Sequence, residues 1–296
     1  MRKQFVQTVE SLMASDEKLV TILGDIGVFG FRNAFSQFPE RIFNIGICEQ
    51  AVTSLAAGLA KVGLIPVVHS IAPFVVERCF EQLKDDFGYQ SLGGNFVSVG
   101  ASFDYAALGC THHCPGDVAL LKTIPGMEIV TPGTSYEFDK LFRESYADDR
   151  PTYFRLSEHE NEKNNEVIFG KANIIKEGRK ATVIAVGPVL DAVIEATSGL
   201  DVTVLYYTTI SPFDQETLRA SAYSELIFLC EPYYFGGLSS DIHLSLRGRP
   251  VRLEYIGVPH SFLTKYGTFD DHLRSIGLTA EAIRIQISGV LDGRAA

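Results

Sequence analysis

No run of apolar residues in this chain of 296 reaches the length of about 18 that a membrane span needs. The opening Met1-Arg-Lys-Gln-Phe5 leads straight into a helical pattern, without the apolar core of a signal peptide. Basic blocks are missing too. The 26 lysines and arginines stand against 36 acidic residues, a net charge of −10 that argues against nucleic acid or an anionic membrane as partner. Cysteine is sparse: Cys48, Cys79, Cys110, Cys114 and Cys230 form an odd, scattered set, read as free thiols in a reducing compartment, so a cytoplasmic protein is expected. Neither internal repeats nor low-complexity tracts stand out. What is present is ordinary globular composition, 46% hydrophobic and 21% charged, in a chain long enough for two domains.

Strand-like apolar runs at 19–23, 43–47, 65–68, 96–99, 127–130 and 152–156 alternate with helical patterns at 5–14, 50–62, 73–87 and 136–148. That alternation predicts an α/β fold with a mostly parallel sheet flanked by helices. Residues 157–166 contain no apolar side chain and read as an exposed linker. Further strands are predicted at 182–186, 202–206, 226–230 and 251–256, giving a second, smaller domain of the same style. The predicted bounds are 1–157, a linker at 158–167, and 168–296. After the strand at 226–230, Glu231-Pro-Tyr-Tyr-Phe-Gly236-Gly237 is either a glycine turn or a subunit contact.

The richest segment is Phe43-Asn-Ile-Gly-Ile-Cys-Glu49, a run read as a buried strand, followed by a helix rich in small residues at Ala51, Ala56, Ala57 and Ala60. Glu49 falls at the strand-to-helix turn, where ligands gather in α/β folds. A buried carboxylate there needs a partner or a shifted pKa. A helix-capping glutamate explains it as well. Cys110-Thr-His112-His113-Cys114 invites a metal, but four ligands so close in sequence hardly converge on one ion, and no metal site is expected on this chain.

Taken in order, Ile47-Cys-Glu49-Gln, Ala57-Gly58-Leu-Ala, Phe74-Val-Val-Glu-Arg78-Cys-Phe-Glu-Gln82, Gly109-Cys-Thr-His112 and Ile124-Pro-Gly-Met-Glu-Ile-Val-Thr-Pro132 resemble transketolase and its thiamine-diphosphate relatives. The resemblance runs from about residue 2 to about residue 280. It implies a pyrimidine-binding domain followed by a transketolase C-terminal-like domain. It also implies thiamine diphosphate as cofactor. Glu49 then matches the glutamate that bonds the aminopyrimidine and drives its imino tautomer, and Phe74 the aromatic on which that ring stacks. Ile71 and Glu77 replace two other pocket aromatics. Asp25 matches an aspartate near the cofactor, although an Asp-x-Gly turn accounts for it equally. His112 matches a histidine facing the substrate, able to donate to a developing alkoxide. His113 replaces a glutamine beside it and is expected with His112 among the substrate-binding residues. Arg2 matches a phosphate-binding arginine, and Arg155 is placed to substitute for another.

The Gly-Asp-Gly motif that holds the diphosphate and its divalent metal is absent, and Leu23-Gly-Asp25 is only a look-alike. The resemblance therefore implies one subunit of a split enzyme. Its partner would be an N-terminal transketolase-like subunit carrying the diphosphate site and Mg2+ or Ca2+, in an α2β2 heterotetramer. Gly100, Leu108 and Glu158 stand where the family carries a donor-binding histidine, an aspartate and an arginine. A glutamate beside a phosphate repels it, so a modified sugar or keto substrate without that terminal phosphate is expected. Two alternatives stay open: the β subunit of a 2-oxoacid dehydrogenase decarboxylating component, and a non-catalytic scaffold or regulatory paralogue.

Overall fold

A computed structural model describes residues 1–293. Two sheets organise them. The first contains β1 (Leu19–Leu23), β2 (Ile42–Asn44), β3 (Ile65–Ile71), β4 (Gly94–Val99), β5 (Glu128–Val130) and β6 (Pro151–Arg155). The second contains β7 (Asn173–Lys176), β8 (Ala181–Val186), β9 (Val202–Tyr207), β11 (Leu226–Tyr234) and β12 (Arg252–Val258). Between β9 and β11 in sequence, β10 (Thr209–Ser211) leaves the second half and pairs antiparallel with β5, so the first sheet runs β10-β5-β6-β4-β3-β1-β2. The second runs β12-β11-β8-β9-β7, with β7 antiparallel at its edge. All other pairings are parallel, the expected mostly parallel α/β arrangement in both halves.

The central strands are apolar at nearly every position because helices cover both faces. Every residue of β1, β4, β6, β8 and β9 is buried. In the first sheet β2 and β3 lie on opposite sides of β1. The chain thus diverges at the carboxyl ends of β1 and β3, the place where open α/β sheets leave a crevice.

Three expectations need correction. The run 43–47 is not a buried strand: β2 is short, lies at the sheet edge, and leaves Phe43, Ile45 and Ile47 exposed. An edge strand has one neighbour, so an apolar sequence does not by itself secure cover. Residues 73–87 do not form one helix. They divide into Ala72–Val75, Phe80–Gln82 and a π-helical turn at Leu83–Tyr89. The polar stretch 157–166 is only partly exposed. Asn161 is buried and donates to the Gly187 carbonyl at 3.2 Å. Ser157 donates to buried Asp104 at 3.0 Å. Polar residues can be interior when their bonds are made, and composition alone misses this.

The two halves are joined by a buried network at Glu137. This carboxylate accepts from the Tyr206 hydroxyl at 2.7 Å, the Gly133 amide at 2.8 Å and the Asn165 side chain at 3.0 Å. An ideal Cβ on Gly133 would lie 2.2 Å from the Tyr206 oxygen, so only glycine admits that close approach. The Glu231 segment ends β11 and turns at Gly236 and Gly237. Buried Glu231 accepts the amides of Gly236, Gly237 and Leu238, and burial holds its pKa up at about 7.

Candidate active site

Glu49 is the first residue of the helix Glu49–Lys61 and is buried. The small residues Ala56 and Ala57 on the buried face let this helix approach the sheet closely. The Glu49 side chain passes over Gly24, at the end of β1. An ideal Cβ there would meet Ser70 Oγ at 3.4 Å and Glu49 Cγ at 3.8 Å. One oxygen, Oε2, accepts from Arg78 Nη1 at 2.7 Å. The other, Oε1, is buried with no hydrogen-bond partner. An unsatisfied carboxylate oxygen costs about 1–3 kcal/mol, so this atom is poised to receive a donor from outside the chain.

Arg78 does more than pair with Glu49. Its guanidinium lies over the Phe74 ring, 4.2 Å from the centroid. Phe74, held half-buried by the short helix Ala72–Val75, meets the His112 ring edge-on at 5.4 Å. His112 in turn meets Tyr105 at 6.4 Å. A continuous row therefore runs from Glu49 through Arg78, Phe74 and His112 to Tyr105. Gly100 closes it. At φ 77° it adopts the left-handed region, and an ideal Cβ would sit 2.4 Å from Tyr105 Cε2. The space above residue 100 is occupied by the tyrosine ring, and no larger residue fits. Ile71, half-buried at the end of β3, packs at the same glycine.

The remaining predicted residues divide. Asp25 is exposed near this edge in a left-handed turn at φ 69°, bonded through its amide to Asn44 Oδ1 at 2.9 Å. Arg2 is exposed in a groove of about 620 Å3 shared with Lys3, Phe29 and Arg32. Glu158 is exposed, its amide tied to Asp104 at 2.9 Å. Leu108 is exposed. Glu77, one residue before Arg78, points the other way, toward Cys114.

Two residues do not take the places expected of them. Arg155 is buried. It donates through Nε to Asp117 at 2.7 Å and through Nη2 to Ser102 at 2.5 Å, and it lies over Tyr233. Asp117 neutralises its charge. His113 is also buried and faces His272 of the C-terminal half, ring to ring at 5.5 Å, instead of joining His112. Burial lowers its pKa. The side chains of the Cys110–Cys114 segment therefore diverge, with Cys110 exposed and Cys114 buried. Among the described residues no group of three or more histidines, cysteines or carboxylates converges as a metal site would.

Sequence reading missed Arg78 and Tyr105 as site residues. The signal for Arg78 was a cation four residues after an aromatic, a spacing that brings the two to one side of a helical turn. Tyr105 carried none, because it reaches Gly100 through an irregular loop.

Behind this row lies His69 on β3, fully buried. Its Nδ1 donates to the Val97 carbonyl at 2.8 Å, which leaves Nε2 without a partner. Burial lowers its pKa from 6.5 to about 4, against the opposing Val97 bond and with a small contribution from Arg2. Between these two values the unfolded chain binds the proton and the folded one does not, so stability falls as pH drops. The wild-type protein is expected to lose up to about 3 kcal/mol over that window relative to His69→Gln. Urea unfolding of both proteins at a series of pH values checks this. A difference independent of pH would refute it.

The comparisons agree with this geometry. Residues 1–163 match the profile of the transketolase pyrimidine binding domain and residues 170–283 that of the transketolase C-terminal domain. The chain is 31% identical to one of the subunits of the apulose-4-phosphate transketolase of Phocaeicola vulgatus, covering 95% of this chain and 94% of that protein. It is 30% identical to a 6-deoxy-6-sulfo-D-fructose transketolase subunit of a Clostridium species, covering 96% and 92%. A solved split-gene transketolase, described as an inactive β4 tetramer, shares the fold at a TM-score of 0.86 and 24% identity, covering 99% and 98% of the two chains. Among the described residues no helix is long and apolar enough to cross a membrane. With both domain profiles in the order the two sheets display, the chain belongs to the transketolase family.

Proposed function

We propose that this chain is the C-terminal (β) subunit of a split, thiamine-diphosphate-dependent transketolase-like enzyme that moves a two-carbon ketol unit between modified sugar or keto substrates. The observation that carries the reading is a half-built site. Buried Glu49 holds Oε1 unpartnered at the carboxyl edge of the sheet, and the apolar side chains Phe43, Ile45 and Ile47 lie exposed on the strand and turn leading to it. Exposed apolar residues grouped beside an unfinished polar site mark a surface that another chain covers. That chain is the N-terminal subunit, which would bring the diphosphate site and Mg2+ or Ca2+, in an α2β2 assembly. The description of a β-only split transketolase as inactive points the same way.

The residues present fit the pyrimidine end of the cofactor. Glu49 Oε1 would share a proton with the ring nitrogen, Gly24 leaves room beside it, and Phe74 and Ile71 form the apolar wall. Bound there, thiamine diphosphate would supply a nucleophilic carbon to the substrate carbonyl. His112, half-exposed and next in the row, is placed to donate to the oxygen on which charge develops. Beyond it the substrate wall is Tyr105 over Gly100, with exposed Leu108 and Glu158. Exposed Arg2 remains for an anionic head group. The names of the two relatives describe sugars that carry a phosphate or a sulfo group in uncommon frames, and those names favour neither a 2-oxoacid dehydrogenase component nor a scaffold.

Calorimetric titration of thiamine diphosphate with magnesium into this chain, its N-terminal partner and the two combined tests the reading. Saturable binding only by the pair is expected, with xylulose 5-phosphate a poor donor beside modified ketoses. No binding by a well-folded pair would sink the cofactor assignment, and turnover of xylulose 5-phosphate at ordinary transketolase rates would sink the altered substrate.

A further inference from the structure

The turn that carries His112 has little regular structure of its own. Where the Cys114 amide donates to the Ser102 carbonyl at 2.7 Å the backbone closes a neck, and beyond it the chain runs out as a loop with only the short 3-10 turns Ala106–Leu108 and Cys110–His112. Such a loop is placed by what it packs against. Much of that packing comes from the C-terminal half. At the neck, Ser102 donates to the Pro232 carbonyl and the Tyr234 amide to the Pro115 carbonyl at 2.9 Å, both partners lying on β11. At the flank, Phe103 stacks on Phe269 at 5.0 Å and meets His272 at 5.5 Å, the same histidine that His113 faces.

At the tip of the loop the contact is Tyr266. An ideal Cβ on Gly109 would lie 2.9 Å from Tyr266 Cε1 and 3.2 Å from its hydroxyl oxygen. Gly109, at φ 72° and ψ −164°, holds a conformation essentially restricted to glycine, and it is buried although Leu108 and Cys110 on either side are exposed. The tyrosine thus covers the glycine where any other residue would carry its side chain. Tyr266 is itself 74% exposed, so it buries little area and adds little to stability. Yet it is firmly presented. Two residues on, Thr268 caps the helix Phe269–Ile276 in a reciprocal box, accepting the Asp271 amide at 3.2 Å while its own amide donates to Asp271 at 2.9 Å. The Gly109 carbonyl in turn accepts the His112 amide at 2.9 Å, so pressure on Gly109 bears directly on the backbone of His112.

We propose that the C-terminal half takes part in the substrate side of this site, with Tyr266 as a positioning residue: delivered by a capped helix, it clamps the Gly109–His112 turn and so fixes the place of the His112 ring beside Phe74. This inference rests on the proposed role of His112 and extends the site to a domain that the resemblance gave no part in the chemistry.

Tyr266→Phe and Tyr266→Ala are compared with wild type in two measurements. Hydrogen exchange of this chain alone, read on peptides spanning 105–113, needs neither cofactor nor partner. The amides of His112 and His113, which donate to Gly109 and Cys110, should exchange about 5- to 10-fold faster in Tyr266→Ala, with the Cys114 amide at the neck and thermal unfolding close to wild type. In the pair formed with the N-terminal subunit, kcat for ketol transfer should fall about 10- to 100-fold in Tyr266→Ala while thiamine diphosphate affinity stays within about twofold. Tyr266→Phe, which keeps the ring over Gly109, should recover most of the rate. A merely structural role would instead lower thermal unfolding and cofactor affinity together and spare kcat at saturating cofactor. Unchanged exchange in Tyr266→Ala overturns the clamp, and faster exchange with unchanged kcat overturns its bearing on His112. A wild-type pair that binds no thiamine diphosphate overturns the proposed function, and the exchange result then decides by itself whether Tyr266 holds the turn.

Discussion

Glu49→Gln in the reconstituted pair is expected to lower turnover by about 10²- to 10⁴-fold, the range over which a positioned proton transfer acts. The substitution preserves shape. A glutamine carbonyl can still accept from Arg78, so the helix Glu49–Lys61 and its packing should survive, with unfolding changed by no more than about 1–2 kcal/mol as a charged bond becomes a neutral one. What glutamine cannot do is take part in proton sharing through the atom now at Oε1, which is buried and without a partner in the chain. Steady-state turnover with excess cofactor, alongside circular dichroism of the variant, checks both halves. Turnover within threefold of wild type would mean that Glu49 is a helix cap and that its burial is structural.

The second large effect concerns stability. Arg155→Met should destabilise the protein by about 3–5 kcal/mol, measured by urea unfolding, because it strands Asp117. That carboxylate is fully buried between the Arg155 guanidinium at 2.7 Å and the Tyr153 hydroxyl at 2.9 Å. Methionine fills the volume of the stem but offers no donor. Adding Asp117→Leu to this variant should recover part of the loss, since a buried pair replaced by apolar groups of similar volume is often neutral or better. Activity follows the fold: a variant that unfolds easily yet keeps its affinity for sugar places Arg155 outside the substrate site. A folded Arg155→Met protein of wild-type stability that has lost substrate affinity would instead return Arg155 to the substrate.

Much of this molecule was legible as a string. The buried strands β1, β4, β6, β8 and β9 announce themselves as short, mostly apolar runs, because a strand covered on both faces offers no solvent-facing row to alternate with the core. The family follows from short motifs in a fixed order, and the turn at Glu49 follows from the change of hydrophobic period across it. These are local signals, written within about ten residues of chain. The antiparallel edge strands β7 and β10 carried no such signal, being short and half-polar, and β10 reaches into the other sheet.

The sites at which expectation and structure part are those decided by partners distant in sequence. Arg155 looks like a cation available to substrate until Asp117 and Ser102 close around it. His113 looks like a neighbour of His112 until the C-terminal half brings His272 against it. Phe43, Ile45 and Ile47 look buried until β2 is found at the sheet edge. Arg78 meets Glu49 across 29 residues of chain, and Tyr105 fills the space that Gly100 leaves. By itself the sequence determined the two α/β sheets, the family and the carboxylate at the crevice, since hydrophobic period and residue type act over short range. Only the tertiary structure decided which charges are neutralised inside and which face the ligand, because burial and pairing depend on what the rest of the chain packs against each group.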